Sequence, residues 1–291
     1  MSAILECRNV SKRYGRVEAV RQLDMTLEEN TIYGLLGRNG AGKTSLLNMV
    51  TGGLFPDSGE IKIAGMRLKR GETPKDICFV RDKNFFFGGA KVNEILEVAA
   101  AFHPNWDWDY AHRLIQVFNV DPNKKIRQLT RGMESIVGNI VGMASRAPLT
   151  IFDEPVLGLD VLMREKFYRL LVEDYANYPR TILLSTHLID EIAKVVERVC
   201  IMEAGSILLH DDVDNIRIQS FMCQGKKEAI QAFTGGKRVI YQEVFGNGAI
   251  AAVYNTMGEA DLVEADKLGI TVDGLPLQKF FAYLLEGGQE Q

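Results

Sequence analysis

The chain alternates short apolar runs with longer stretches in which apolar residues recur every three or four positions. TIYGLL at residues 31 to 36, ICFV at 77 to 80, LTIFDE at 149 to 154 and TILLSTH at 181 to 187 have the length and composition of buried parallel strands. KTSLLNMV after the first run has helical spacing, as do VNEILEVAAAF and YAHRLIQVF within residues 91 to 144. So does the series Met133, Ile136, Val137, Ile140, Val141 and Ala144. The helical stretch 91 to 144 thus interrupts a strand-forming core, and the whole predicts an α/β fold with a mainly parallel sheet.

From about residue 216 the pattern changes. KKEAIQAF predicts a helix, KRVIYQEV and AIAAVYN flank GNG as a hairpin, ITVDG predicts a last strand, and LPLQKFFAYLLEG an amphipathic helix. The expected division is a domain over residues 1–215 and a small α+β extension over 216–291, with no catalytic spacing in the latter.

The 291 residues, 46% hydrophobic and 25% charged, are enough for a sizeable core. A net charge of -4 argues against a surface devoted to nucleic acid. Cys7, Cys78, Cys200 and Cys223 lie far apart without a C-x-x-C pair and read as reduced core thiols. His103, His112 and His210 lack metal-ligand spacing and read as surface or packing residues. No uncharged stretch reaches the ~20 residues of a membrane span, so a soluble cytoplasmic chain is expected.

GRNGAGKT at residues 37 to 44 carries the strongest chemical signal, because G-x-x-x-x-G-K-[ST] here follows a strand and opens a helix. Gly37, Gly40 and Gly42 let the backbone turn its N–H groups toward a triphosphate, within a cradle that also takes in Arg38, Asn39, Ala41 and Ser45. Lys43 would meet the β and γ phosphates, and Thr44 would offer its hydroxyl to Mg²⁺. Such a loop predicts a second strand ending in a carboxylate. Asp153 supplies one for the metal, and Glu154 beside it is placed as general base for the attacking water. His187 ends a third strand on the same sheet edge, which favours a γ-phosphate contact. In LTRGM at residues 129 to 133, Thr130 is an expected helix N-cap; a hydroxyl and a glycine at a helix N-terminus also make an anion site.

Taken together, these motifs resemble the ATP-binding subunit of an ABC transporter over roughly residues 3 to 210. That resemblance implies a P-loop NTPase (RecA-like) core, an antiparallel β-subdomain and an inserted helical subdomain over about 91–144. ATP and Mg²⁺ would be the cofactors. SKRYG at 11 to 15 looks like the adenine-stacking loop, with Tyr14 as the ring, and PVLGLD at 155 to 160 looks like the D-loop, with Asp160. LTRGM falls at the signature motif, so Thr130, Arg131 and Gly132 would cap a γ-phosphate held by a second ATPase chain, identical or different. Arg131 and Met133 depart from the family's commoner glycine and glutamine.

A further departure is Asp82, which stands where the family usually has a metal-reaching glutamine; as a carboxylate it could bind Mg²⁺ directly while adding negative charge near the γ-phosphate. Phe85, Phe86 and Phe87 are either loop anchors or part of a groove for a transmembrane partner. The resemblance implies transmembrane permease subunits as partners, a peripheral position on the inner face of the membrane, and export, since the extension is similar to that of exporter-type ATPases. That extension reads as a dimerisation or regulatory element. Two alternatives stay open: a soluble ABC-type ATPase acting on nucleic acid or ribosomes, and a degenerate subunit that binds without hydrolysing.

Overall fold

In the computed structural model, which describes residues 2–81 and 86–287, every apolar run expected to be a parallel strand is one. The chain opens with β1 (Ala3–Tyr14) and β2 (Val17–Glu28), then β3 (Ile32–Leu36) and α1 (Lys43–Val50). Next come β4 (Ser58–Ile63), β5 (Met66–Arg67), β6 (Ile77–Val80), α2 (Val92–Phe102), α3 (Trp108–Val117) and α4 (Arg131–Ala144). β7 (Leu149–Asp153), α5 (Val161–Asn177), β8 (Thr181–Thr186), β9 (Arg198–Glu203) and β10 (Ser206–Asp212) follow. By packing, residues Met1–His187 and Arg198–His210 form one unit, and Leu188–Glu197 with Asp211–Gln291 a second.

Two sheets build the first unit. A six-stranded sheet has the order β10-β9-β3-β8-β7-β6, with β9, β3, β8, β7 and β6 parallel. An antiparallel sheet has the order β2-β1-β4-β5. β3, β7 and β8 are buried at every residue, which is why they read as continuous apolar runs. α1 lies within the resulting core: its Leu46, Leu47 and Val50 cluster with Leu5, Leu23 and Leu27 of the antiparallel sheet and Leu35, Ile151 and Leu183 of the parallel one.

α3, α4 and α5 are held to the sheet partly by charge. Asp174 is buried and receives Arg180 Nη2 at 2.8 Å and Arg146 Nη1; Arg146 also reaches Asp107 at 2.9 Å and lies over the Tyr110 and Tyr178 rings. Asp107 in turn caps α3 by accepting from the Tyr110 N–H. The Trp106–Trp108 pair packs edge to face at this junction, and His112 stacks on Trp108, the packing role expected of that histidine. All four cysteines are buried and free.

The second unit contains α6 (Ile189–Ile192), α7 (Val213–Gln219), β11 (Ser220–Lys226), α8 (Lys227–Phe233), β12 (Val239–Phe245), β13 (Gly248–Tyr254), α9 (Glu259–Lys267), β14 (Thr271–Gly274) and α10 (Leu277–Gly287). Its sheet order, β12-β13-β11-β14, is antiparallel throughout. From β11 to β14 the chain therefore traces β-α-β-β-α-β with the central pair formed by its first and third strands, a ferredoxin-like split βαβ arrangement. Period-2 alternation divides β13 between two cores. Ala249, Ala251 and Val253 face Ile230 and Phe233 of α8 and Ala265 of α9. Tyr254 meets Phe280 of α10, and Tyr241, opposite Ala252, stacks on Tyr283. The segment directly after His187 belongs here: α6 packs on α10, and Arg217 Nη2 donates to the Ala193 carbonyl.

Candidate functional site

β3, β8 and β7 are neighbours in the parallel sheet, so the residues leaving their carboxyl ends emerge side by side. At the end of β3 the loop closes onto α1 through Gly42, at φ 104° and so close to β2 that a Cβ would stand 2.3 Å from the Ala19 carbonyl oxygen. Only glycine fits both conditions. Lys43 is buried; its Nζ donates to the carbonyl of Gly37 at 2.6 Å. Burial lowers the Lys43 pKa, while the carboxylates of Glu154 and Asp153 act in the opposite direction. The loop is braced from the β9–β10 turn, where Gly205 N–H donates to the Ala41 carbonyl and Arg21 holds the Ala204 carbonyl.

The carboxylates are placed by β8. Asp153 pairs in register with Ser185, and the Ser185 hydroxyl donates to Asp153 Oδ1 at 2.9 Å. Glu154 leaves the strand in the left-handed region, φ 50°, where its N–H donates to the Ser185 carbonyl at 2.8 Å. Its side chain turns over the end of β8, with Oε2 accepting from Thr186 Oγ1 at 2.9 Å and Oε1 lying 2.8 Å from His187 Nδ1. In the tautomer that carries its proton on Nδ1, the imidazole donates to Glu154 Oε1.

These groups share one cavity of about 760 Å³, lined by Arg38, Asn39, Gly40, Ala41, Gly42, Lys43, Thr44, Ser45, Asp153, Glu154, Leu157 and His187. Val17, Glu18, Ala19 and Arg21 of β2 and Ala204 complete its wall. Those five had no sequence signal, because their place depends on how β2 and the β9–β10 turn pack over the loop. Tyr14, at the end of β1, is half exposed and does not line the cavity. Thr130, Arg131 and Gly132 stand apart from it at the start of α4, where Thr130 Oγ1 accepts from the Met133 N–H at 3.3 Å. Asp160 likewise caps α5, accepting from the Met163 N–H at 2.9 Å. Asp82 and Phe85 lie outside the described residues. Phe87 is largely exposed.

The family model described as ABC transporter matches residues 20–157, from β2 through the loop, both carboxylates and the start of the D-loop-like segment. The ABC transporter ATP-binding protein AlbC of Bacillus subtilis (strain 168) is 34% identical over 209 residues, covering 68% of this chain and 85% of the relative. The bacitracin transport ATP-binding protein BcrA of Bacillus licheniformis is 26% identical over 304 residues and covers 99% of both chains, so it spans the second unit as well. Among solved structures, the ATP binding subunit of an ABC transporter superposes with a TM-score of 0.66 at 24% identity, over 74% of this chain and 92% of that one. A dimeric ATP-binding cassette in a post-hydrolysis state bound to ADP and Pi gives 0.65 at 21% identity, over 72% and 98%. The fold and the sequence agree: the chain belongs to the ABC transporter family, as an ATP-binding, ATP-hydrolysing subunit.

Proposed function

We propose that this subunit hydrolyses ATP with Lys43, Glu154 and His187 and powers export through separate transmembrane permease subunits. The observation that carries the site assignment is the convergence of Lys43, Asp153, Glu154 and His187 on one cavity at the carboxyl edge of the sheet. Lys43 and the loop N–H groups would bind phosphates, Glu154 would take the proton of the attacking water, and His187 would orient Glu154 and reach the γ-phosphate. Catalysis of this kind is mainly positioning and electrostatic stabilisation.

Thr44 and Asp153 both line the cavity, and their hard oxygen donors suit Mg²⁺, which keeps most of its ligands as water and phosphate. When bound, Mg²⁺ would offset charge on the transferred phosphoryl group. Asp82 is proposed as an additional metal contact.

Tyr14 is proposed to stack on adenine, and Thr130, Arg131, Gly132 and Asp160 to complete the site of a second ATPase chain; all five lie outside the cavity, and all but the half-buried Gly132 are exposed, which supports a composite site. The exposed Phe87 supports a permease contact in this region, and with it a peripheral place on the inner membrane face. Among the described residues no helix is long and apolar enough to cross a membrane. The transporter names of the relatives favour this reading over a soluble ATPase acting on nucleic acid or ribosomes, and the relative that matches over 99% of both chains is named for bacitracin transport.

We assign residues 1–215 to the nucleotide-binding domain and 216–291 to a regulatory or dimerisation domain. Its link to catalysis would run through Leu188–Glu197, which packs with the second unit and follows His187 directly. The deciding experiment for the site is Glu154→Gln. Loss of nearly all steady-state hydrolysis with ATP binding retained is expected; full turnover would remove Glu154 from the role of base.

A further inference from the structure

Glu154 is tethered by three consecutive residues of the neighbouring strand end. The Ser185 carbonyl takes its backbone N–H, the Thr186 hydroxyl takes Oε2, and His187 Nδ1 meets Oε1. His187 is partly open to solvent, whereas Thr186 is fully buried as the last residue of β8. Of the two side-chain contacts, the Thr186–Glu154 one is therefore the one water competes for less.

A glutamate has three rotatable side-chain bonds, the last of them soft. A base that must present one lone pair to a water gains from having its other oxygen held before substrate arrives, because the ordering entropy is then settled on folding. The left-handed backbone of Glu154 serves the same end, turning the side chain from the end of β7 across to β8. Ser185 treats Asp153 in parallel fashion, so two adjacent hydroxyls on one strand hold two adjacent carboxylates on the next.

We propose that Thr186 is a positioning residue for ATP hydrolysis: its buried hydroxyl, donated to Glu154 Oε2, fixes the carboxylate in the orientation that activates water. The assignment rests on Glu154 being the base.

The test compares the full chain with Thr186→Val, Thr186→Ala, Thr186→Ser and Glu154→Gln, measuring kcat, KM for Mg-ATP and melting temperature. Valine keeps the shape and β-branching of threonine without the hydroxyl; alanine serves should valine fail to fold. A hydrogen bond to a charged group of this kind supports a kcat loss of roughly tenfold or more in the hydroxyl-free variants. KM should hold, serine should restore most of the rate, and any fall in melting temperature from losing the buried hydrogen bond should be shared by valine and alanine. Unchanged kcat in Thr186→Val, a serine variant as slow as valine, or a loss confined to KM or stability overturns the proposal while Glu154→Gln remains inactive. Full turnover in Glu154→Gln overturns the base assignment, and the role of Thr186 with it.

Discussion

Gly132 lies against Gly158: a Cβ on Gly132 would stand 2.8 Å from the Gly158 carbonyl oxygen and 3.4 Å from Leu159 Cδ2. The first turn of α4 and the segment leading to Asp160 thus touch backbone to backbone, two surfaces proposed to face the second ATPase chain. A backbone carbonyl cannot swing aside as a side-chain tip can. Gly132→Ala should therefore shift one surface relative to the other and weaken ATP-dependent pairing. Light scattering on Gly132→Ala combined with Glu154→Gln would show less dimer with Mg-ATP than Glu154→Gln alone. Equal dimer would mean that the close approach is dispensable.

Lys43 carries an ammonium that burial disfavours, with Glu154 and Asp153 offsetting part of the effect. A lysine whose folded pKa is lowered has a desolvation cost that is fully present below that pKa. The cost is relieved as pH rises through it toward the ordinary 10.5. Lys43→Met removes the cost at neutral pH. Without nucleotide the variant should melt no lower than the parent chain, whereas Mg-ATP should raise the melting temperature of the parent only. A nucleotide-induced rise of equal size in Lys43→Met would rule out the phosphate contact.

Asp174 joins two buried guanidinium groups. Removing one partner of a buried ion pair typically costs about 3–5 kcal/mol, because the remaining charge stays desolvated. Asp174→Ala should fall in that range in urea unfolding. Asp107→Ala, whose partner Arg146 keeps Asp174, should cost less. Equal costs would show that Asp174 is not the hub.

Burial pushes the thiols of Cys7 and Cys200 up to about 12, and those of Cys78 and Cys223 to about 11; Asp24 adds to the effect at Cys7. The thiolate is the reactive form, so at pH 8 the native chain should react negligibly with a thiol-specific disulfide reagent. Four equivalents should appear in denaturant. A rapidly reacting native thiol would place that cysteine in an opening segment.

The same division between near and distant information runs through the fold. β3, β7 and β8 were legible because strands covered on both faces are apolar at every position, and α4 because Thr130 caps a clear three-to-four spacing. α9 is not legible in the sequence because EADLVEADK buries only Ala265, leaving almost no periodic signal. The hairpin of the second unit was readable from GNG, yet its strand order was not, since pairing β11 between β13 and β14 joins segments far apart in the chain.

By itself the sequence determined the glycine-rich loop between β3 and α1, the Asp153–Glu154 pair and His187 at strand ends, and the capped start of α4, because each depends on residue types within a short local stretch. Only the tertiary structure decided that β2 and the β9–β10 turn wall the cavity, that Thr186 holds Glu154, and that the segment after His187 packs with the second unit. Those relations follow from strand register and packing between distant segments, and a hydroxyl at the end of an apolar strand looks the same in sequence whether or not a carboxylate lies opposite it.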